Sequence, residues 1–211
     1  VTTPYEPNYF DPLSTDRLTN IICEVFEYQP LVPMTLEMEK FGGSGLYAIY
    51  YRGASIELYA PLKNYEMPVY VGQAVSNNST TGKGVKSRTP LHGRMSQHRR
   101  SVGDAGLPLG EFFFRALRMP DVHANLGEKG LIRGYRPAWN AILSGFGSNE
   151  QGSATRASAK SKWDTIHDGR KRTYGSEPHD RAKLVTEVEQ HILERIAAYD
   201  DLPWRRASTN V

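Results

Sequence analysis

The stretch GLYAIYY, residues 45–51, follows a glycine cluster (Gly42, Gly43, Gly45), and PVYVGQAV, residues 68–75, repeats its texture of β-branched residues, a tyrosine and a glycine. Alternating aromatic and aliphatic residues over seven positions read as a half-buried strand. Tyrosine suits such a strand, because its ring packs while its hydroxyl stays near water. Taken alone, each stretch is a core strand, and any further meaning has to come from residues later in the chain.

The 211 residues, 39% of them hydrophobic, are enough for one domain with a proper core. The expected organisation is a single domain over 1–211. It comprises a helical extension (1–43), a catalytic core (44–143) and a C-terminal DNA-binding and dimerisation elaboration (144–211). No apolar run reaches the roughly 18 residues a membrane helix needs, and no signal peptide opens the sequence. The single cysteine, Cys23, excludes internal disulfides and cysteine-built zinc sites, so a reducing, cytoplasmic setting is expected. The six histidines lack metal-ligand spacing such as HxxxH, so oxygen ligands, and hence magnesium or manganese, are the better expectation for any metal.

The net charge of +3 is unevenly spread. Residues 1–43 hold seven acids against Arg17 and Lys40. Between Val71 and Gly103 there is no acid, while Lys83, Lys86, Arg88, Arg94, Arg99 and Arg100 are basic. A second basic block (Arg156, Lys160, Lys162, Arg170, Lys171, Arg172) faces only Asp164 and Asp168. Two such blocks suggest a polyanion footprint, although a solvated surface explains charge alone equally well.

Along the chain, an extended proline-rich start leads to a helix capped by Ser14 or Thr15, with Leu18, Ile21, Ile22, Val25 and Phe26 on one face and Pro30 ending it. Strands at 45–51 and 68–71 flank a polar and aromatic insertion, and 76–90 is a Ser, Thr, Asn and Gly-rich loop. Next come a basic helix over 90–102, a buried strand at 111–119, a helix capped by Asp121 and a short strand at 139–143. Helices near 155–165 and 180–199 close the chain. The last presents Leu184, Val188, Ile192, Ile196 and Tyr199 at four-residue spacing, to the core or to a second subunit.

On these elements sit four residues of interest. Arg94 and His98 share one face of the basic helix, one turn apart. Glu128 lies among small and apolar neighbours, where solubility does not call for a carboxylate, and Asn140 comes just after Pro137 and Trp139. Singly they read as surface or turn residues. In order, the GLY tripeptide, YVG, RxxxH, a helical Glu and an Asn twelve residues on resemble the GIY-YIG nuclease family over roughly 42–172. The insertion between the tyrosines, YRPAWNAILSGFG and WDTIHDGR look closest to its type II restriction endonucleases that recognise CCGCGG, the SacII-specificity group. Leu46 and Val71 replace isoleucines, and Gln73 stands where relatives often carry lysine.

The resemblance implies an α/β fold of α+β type: a small, mainly antiparallel sheet flanked by helices. It implies metal-dependent, site-specific hydrolysis of double-stranded DNA. Tyr47, on a site facing solvent or substrate, would activate the water, His98 would take or share the proton, and Tyr70 would position water or phosphate. Arg94 would neutralise a phosphate oxygen, Glu128 would hold Mg2+ (with Mn2+ able to replace it), and Asn140 would complete the site. Gly45 and Gly72 would let the backbones approach. Lys83, Lys86, Arg88, Arg99, Arg100, Arg156, Lys160, Lys162 and Arg170 are expected to meet DNA. A palindromic target implies a homodimer, set in bacterial defence beside a cognate methyltransferase. A repair or mobility nuclease, a non-cutting DNA-binding protein on this fold, and an accidental likeness remain the alternatives.

Overall fold

The computed structural model describes residues 14–34, 39–76, 88–148 and 157–207. The proline-rich start, most of the 76–90 loop with Lys83 and Lys86, and Arg156 lie outside the described residues. In chain order the elements are α1 (Thr15–Glu27), β1 (Val32–Pro33), β2 (Gly45–Tyr51), β3 (Pro68–Ala74), α2 (Pro90–Asp104), β4 (Phe112–Arg118), α3 (Asp121–Tyr135), α4 (Ala138–Ala141), α5 (Lys162–Ile166), α6 (Arg181–Ala197) and α7 (Pro203–Ala207).

The strands form one antiparallel sheet in the order β1-β4-β2-β3. GLYAIYY is its central strand, and all seven of its residues are buried, not half-buried as alternation suggested. The reason is that α3 packs against β2 as well as β3, and α2 does the same, so the strand is well covered. On β3, Val71 and Gly72 are buried while Tyr70 and Gln73 keep partial exposure. Helix α2 turns Leu91, Met95, His98 and Val102 inward at helical spacing, with proline at its first position where a missing N–H costs nothing.

Two short elements differ from expectation. Residues 139–143 form no strand: Pro137 opens the helical turn α4, which buries Trp139. A short apolar run does not separate these outcomes, and the proline decided. The helix expected near 155–165 is confined, among described residues, to α5, whose start is set by Ser161 accepting from Asp164 N–H. The insertion after β2 folds as a 3-10 segment, Glu57–Asn64, burying Tyr59 and Leu62.

Helix α6 starts at Asp180, whose carboxylate accepts from Lys183 N–H at 3.1 Å. Its Leu184, Val188 and Ile192 are buried within this chain, largely against the 3-10 segment and α5. That face is therefore not free for a second subunit. On α1, Cys23 and Phe26 face the core, while Leu18, Ile21 and Val25 are exposed.

Strand β3 is one edge of the sheet, and peptide groups on and just after it are met by side chains from α3 and α4. Asn140 Oδ1 accepts from Val71 N–H at 2.8 Å and its Nδ2 donates to Val71 C=O at 2.9 Å. Glu128 Oε1 accepts from Gln73 N–H at 3.1 Å. Asp121, expected as a helix cap, is the first residue of α3 after Pro120, and its carboxylate instead accepts from the Ser76 N–H and hydroxyl.

Candidate active site

The fold brings the tyrosines of β2 and β3 under helix α2. The rings of Tyr47 and Tyr70 lie 6.1 Å apart, and His98 approaches both, at 5.3 Å from each. The Tyr47 hydroxyl is 2.8 Å from His98 Nε2 and accepts from Arg94 Nε at 3.4 Å. Gly72 sits opposite Tyr47 in the strand register, and a Cβ there would run into the phenol. Close approach thus explains Gly72, whereas Gly45 makes room on the other side, against the Leu117 carbonyl of β4.

Electrostatics set the protonation of this pair. Burial, helped by Tyr70, pushes the Tyr47 phenol well above its ordinary range, against the opposing pull of Arg94. Burial, then the Arg94 and Arg170 cations, push His98 well below its ordinary range. At neutral pH the phenol is therefore protonated and the imidazole uncharged. This is the state in which a tyrosine can pass its proton to a histidine nitrogen while taking another from water.

Arg94 is half-buried and engaged. Besides Tyr47, it donates through Nη1 to Gln97 Oε1 at 2.7 Å and through Nη2 to the Gly147 carbonyl. The charge of Glu128 acts on Tyr70, and that of Arg94 acts on Glu128. Burial of Glu128 raises the carboxyl pKa, and the Gln73 N–H partly offsets this. No group of three or more His, Cys, Asp and Glu side chains gathers among the described residues. A cation here would rest on Glu128, waters and phosphate oxygens, an all-oxygen set that suits a hard ion such as Mg2+.

The sequence-predicted residues thus divide. Tyr47, Tyr70, Arg94 and His98 form one cluster with Glu128 beside it, while Asn140 reaches it only through Val71. Tyr47, expected on a site facing solvent or substrate, is fully buried in the DNA-free chain. Arg88 and Arg100 are exposed, and Arg99 and Lys162 partly so. Lys160 is paired with Asp168 at 2.6 Å and Glu177 at 3.3 Å, its side chain 12% exposed. Arg170 is buried, held by Asp164 at 2.6 Å and by the Phe146 and Gly145 carbonyls. Both cations, expected to meet DNA, have partners inside the chain. Sequence reasoning missed Phe146 and Gly147. Their run, YRPAWNAILSGFG, stood out, but no spacing rule placed it over the tyrosines.

A four-stranded antiparallel sheet flanked by helices, with two tyrosines, an arginine and a histidine gathered on it and a glutamate beside them, defines the GIY-YIG class of nuclease domains. A family model described as the Eco29kI GIY-YIG domain matches residues 39–196, most of the chain, which therefore belongs to that family of restriction-endonuclease nuclease domains. A comparison with curated proteins returned no match. Among the described residues no helix is long and apolar enough to cross a membrane.

Proposed function

We propose that this nuclease is a type II restriction endonuclease. It makes site-specific, double-strand breaks at a GC-rich palindrome such as CCGCGG, as a homodimer partnered in a bacterial cell by a cognate methyltransferase. The observation that carries the chemistry is the Tyr47–His98 contact at 2.8 Å with Arg94 on the same phenol oxygen. The target and the setting rest on the sequence resemblance.

In this reading a water attacks phosphorus opposite the leaving 3′ oxygen. Tyr47 Oη takes the water's proton as its own passes to His98 Nε2, so no free phenolate has to form beforehand. That step uses the imidazole tautomer with hydrogen on Nδ1. The guanidinium of Arg94 steadies the charge gathering on the phosphoryl oxygens. Glu128 would hold Mg2+, which supplies Lewis-acid neutralisation of phosphate charge. Asn140 keeps Val71, and hence the YVG strand, in place.

Digestion of a sequenced plasmid with Mg2+, and then sequencing of the ends, tests class and target together. Discrete fragments ending within CCGCGG are expected. Random degradation, or cutting unrelated to that sequence, overturns the site-specific reading.

A further inference from the structure

A histidine that moves protons is ordinarily fixed by an acceptor on its second nitrogen, often a carboxylate. Such a carboxylate also favours the imidazolium. His98 has none among the described residues: it is buried, and its Nδ1 has no hydrogen-bond partner there. Its ring is instead stacked on Phe146, with centroids 4.6 Å apart and planes at 17°, while Tyr70 meets it edge-on.

Phe146 rides on a turn whose backbone is anchored from elsewhere. Arg170 donates through Nη1 to the Phe146 carbonyl and through Nη2 to the Gly145 carbonyl, each at 3.1 Å. Its Nε meets Asp164 at 2.6 Å, and its guanidinium lies 4.4 Å from the Trp163 ring centre. Asp164 is in turn tied to Ser161 at the start of α5. A continuous chain of contacts thus runs from α5 through Arg170 and the turn to the face of His98.

We propose that Arg170 and Phe146 are positioning residues for His98, with Arg170 pinning the turn and the Phe146 ring holding the imidazole flat with Nε2 on the Tyr47 hydroxyl. The arrangement replaces the usual carboxylate by an aromatic face and a buried cation. It orients the ring without charging it. The groups facing His98 are Tyr47 from β2, Tyr70 from β3, Arg94 from its own helix and Arg170 from the segment after α5. The two arginines both act against an imidazolium. A ring that accepts a proton from a phenol has to be neutral beforehand, so orientation and charge serve one step. The proposal rests on reading Tyr47 and His98 as the reacting pair.

The test uses Phe146→Leu and Arg170→Gln in the full chain, each checked by thermal melt. Imidazole nitrogen NMR in the DNA-free protein reports the titration of His98, and single-turnover cleavage of a plasmid carrying CCGCGG reports its use. Arg170→Gln should raise the His98 titration point, moving the acid limb of cleavage to higher pH. Phe146→Leu should lower the cleavage rate at saturating DNA about tenfold while leaving DNA affinity unchanged. Should Arg170→Gln fail to fold, Phe146→Leu decides alone. Folded variants with wild-type His98 titration and wild-type cleavage overturn the proposal. The NMR titration needs no cutting, so a plasmid left intact by wild type defeats the nuclease reading separately.

Discussion

The Tyr47 hydroxyl lies between two partners, His98 Nε2 at 2.8 Å and Arg94 Nε at 3.4 Å. Tyr47→Phe removes the atom that links them. Cleavage should fall at least about a hundredfold, the low end for an acid–base group. Because the hydroxyl is buried, its loss also strands polar groups, at a stability cost of about 1–3 kcal/mol. DNA affinity, read by fluorescence anisotropy, should stay near wild type. Near-normal cleavage would end the assignment of Tyr47 as the base.

Glu128→Gln keeps shape and a carbonyl that can still accept from Gln73 N–H, but removes the charge that would hold a hard cation. Cleavage at millimolar Mg2+ should drop below detection, while binding of the target duplex persists or tightens as carboxylate–phosphate repulsion disappears. Burial already disfavours the carboxylate anion, so the thermal melt should match or exceed wild type. Normal cleavage by this variant places any metal elsewhere.

Asn140→Ala frees both peptide groups of Val71, which the amide now satisfies at 2.8 and 2.9 Å. Stability should fall by about 1–3 kcal/mol, and Tm by roughly 2–4 °C for each of those. Cleavage should fall as well, since Tyr70 and Gly72 flank Val71. An unchanged melt would show that water replaces the amide there.

Two buried histidines make stability depend on acid. Burial, with Arg94 and Arg170, depresses His98; burial, with Arg181 and Arg170, depresses His167 to about 3. The unfolded chain, with both near the ordinary 6.5, therefore binds more protons than the folded one. Their contribution is complete above that value and is lost as pH falls from it toward the folded values. The slope is about 1.4 kcal/mol per pH unit for each histidine. Melts should stay level from about pH 7.5 to about 6.5 and fall steadily from there to about pH 5; a profile flat over that lower range would contradict the burial of these rings.

Much of this was legible in the sequence. GLYAIYY, PVYVGQAV and EFFFRALRM have the composition of strands, and Arg94 and His98 fall on one helical face by spacing alone. What periodicity cannot show is how many layers cover a strand, so the depth of Tyr47 emerges only once α2 and α3 are placed. Nor does charge along the chain reveal partners. Arg170 and Lys160 read as surface cations because the carbonyls of 145 and 146, and Glu177, meet them only after folding. Asn140 belongs to the site by its order in the chain, but its partner, a peptide 69 residues away, has no sequence signature.

The side chains along the outer rim of β3 have a consequence for self-association. An exposed strand with free amides is a template on which another molecule can lay a strand of its own. Here Asn140 and Glu128 occupy the amides at 71 and 73, and Asp121 takes the one at 76. Two residues proposed to serve cleavage therefore also stand between the domain and edge-to-edge aggregation. A descendant that gave up cutting could drop the charge at 128, but it would still need acceptors at 128 and 140 to stay monodisperse. Persistence of those acceptors in such a chain would report on solubility, and only the carboxylate itself on catalysis.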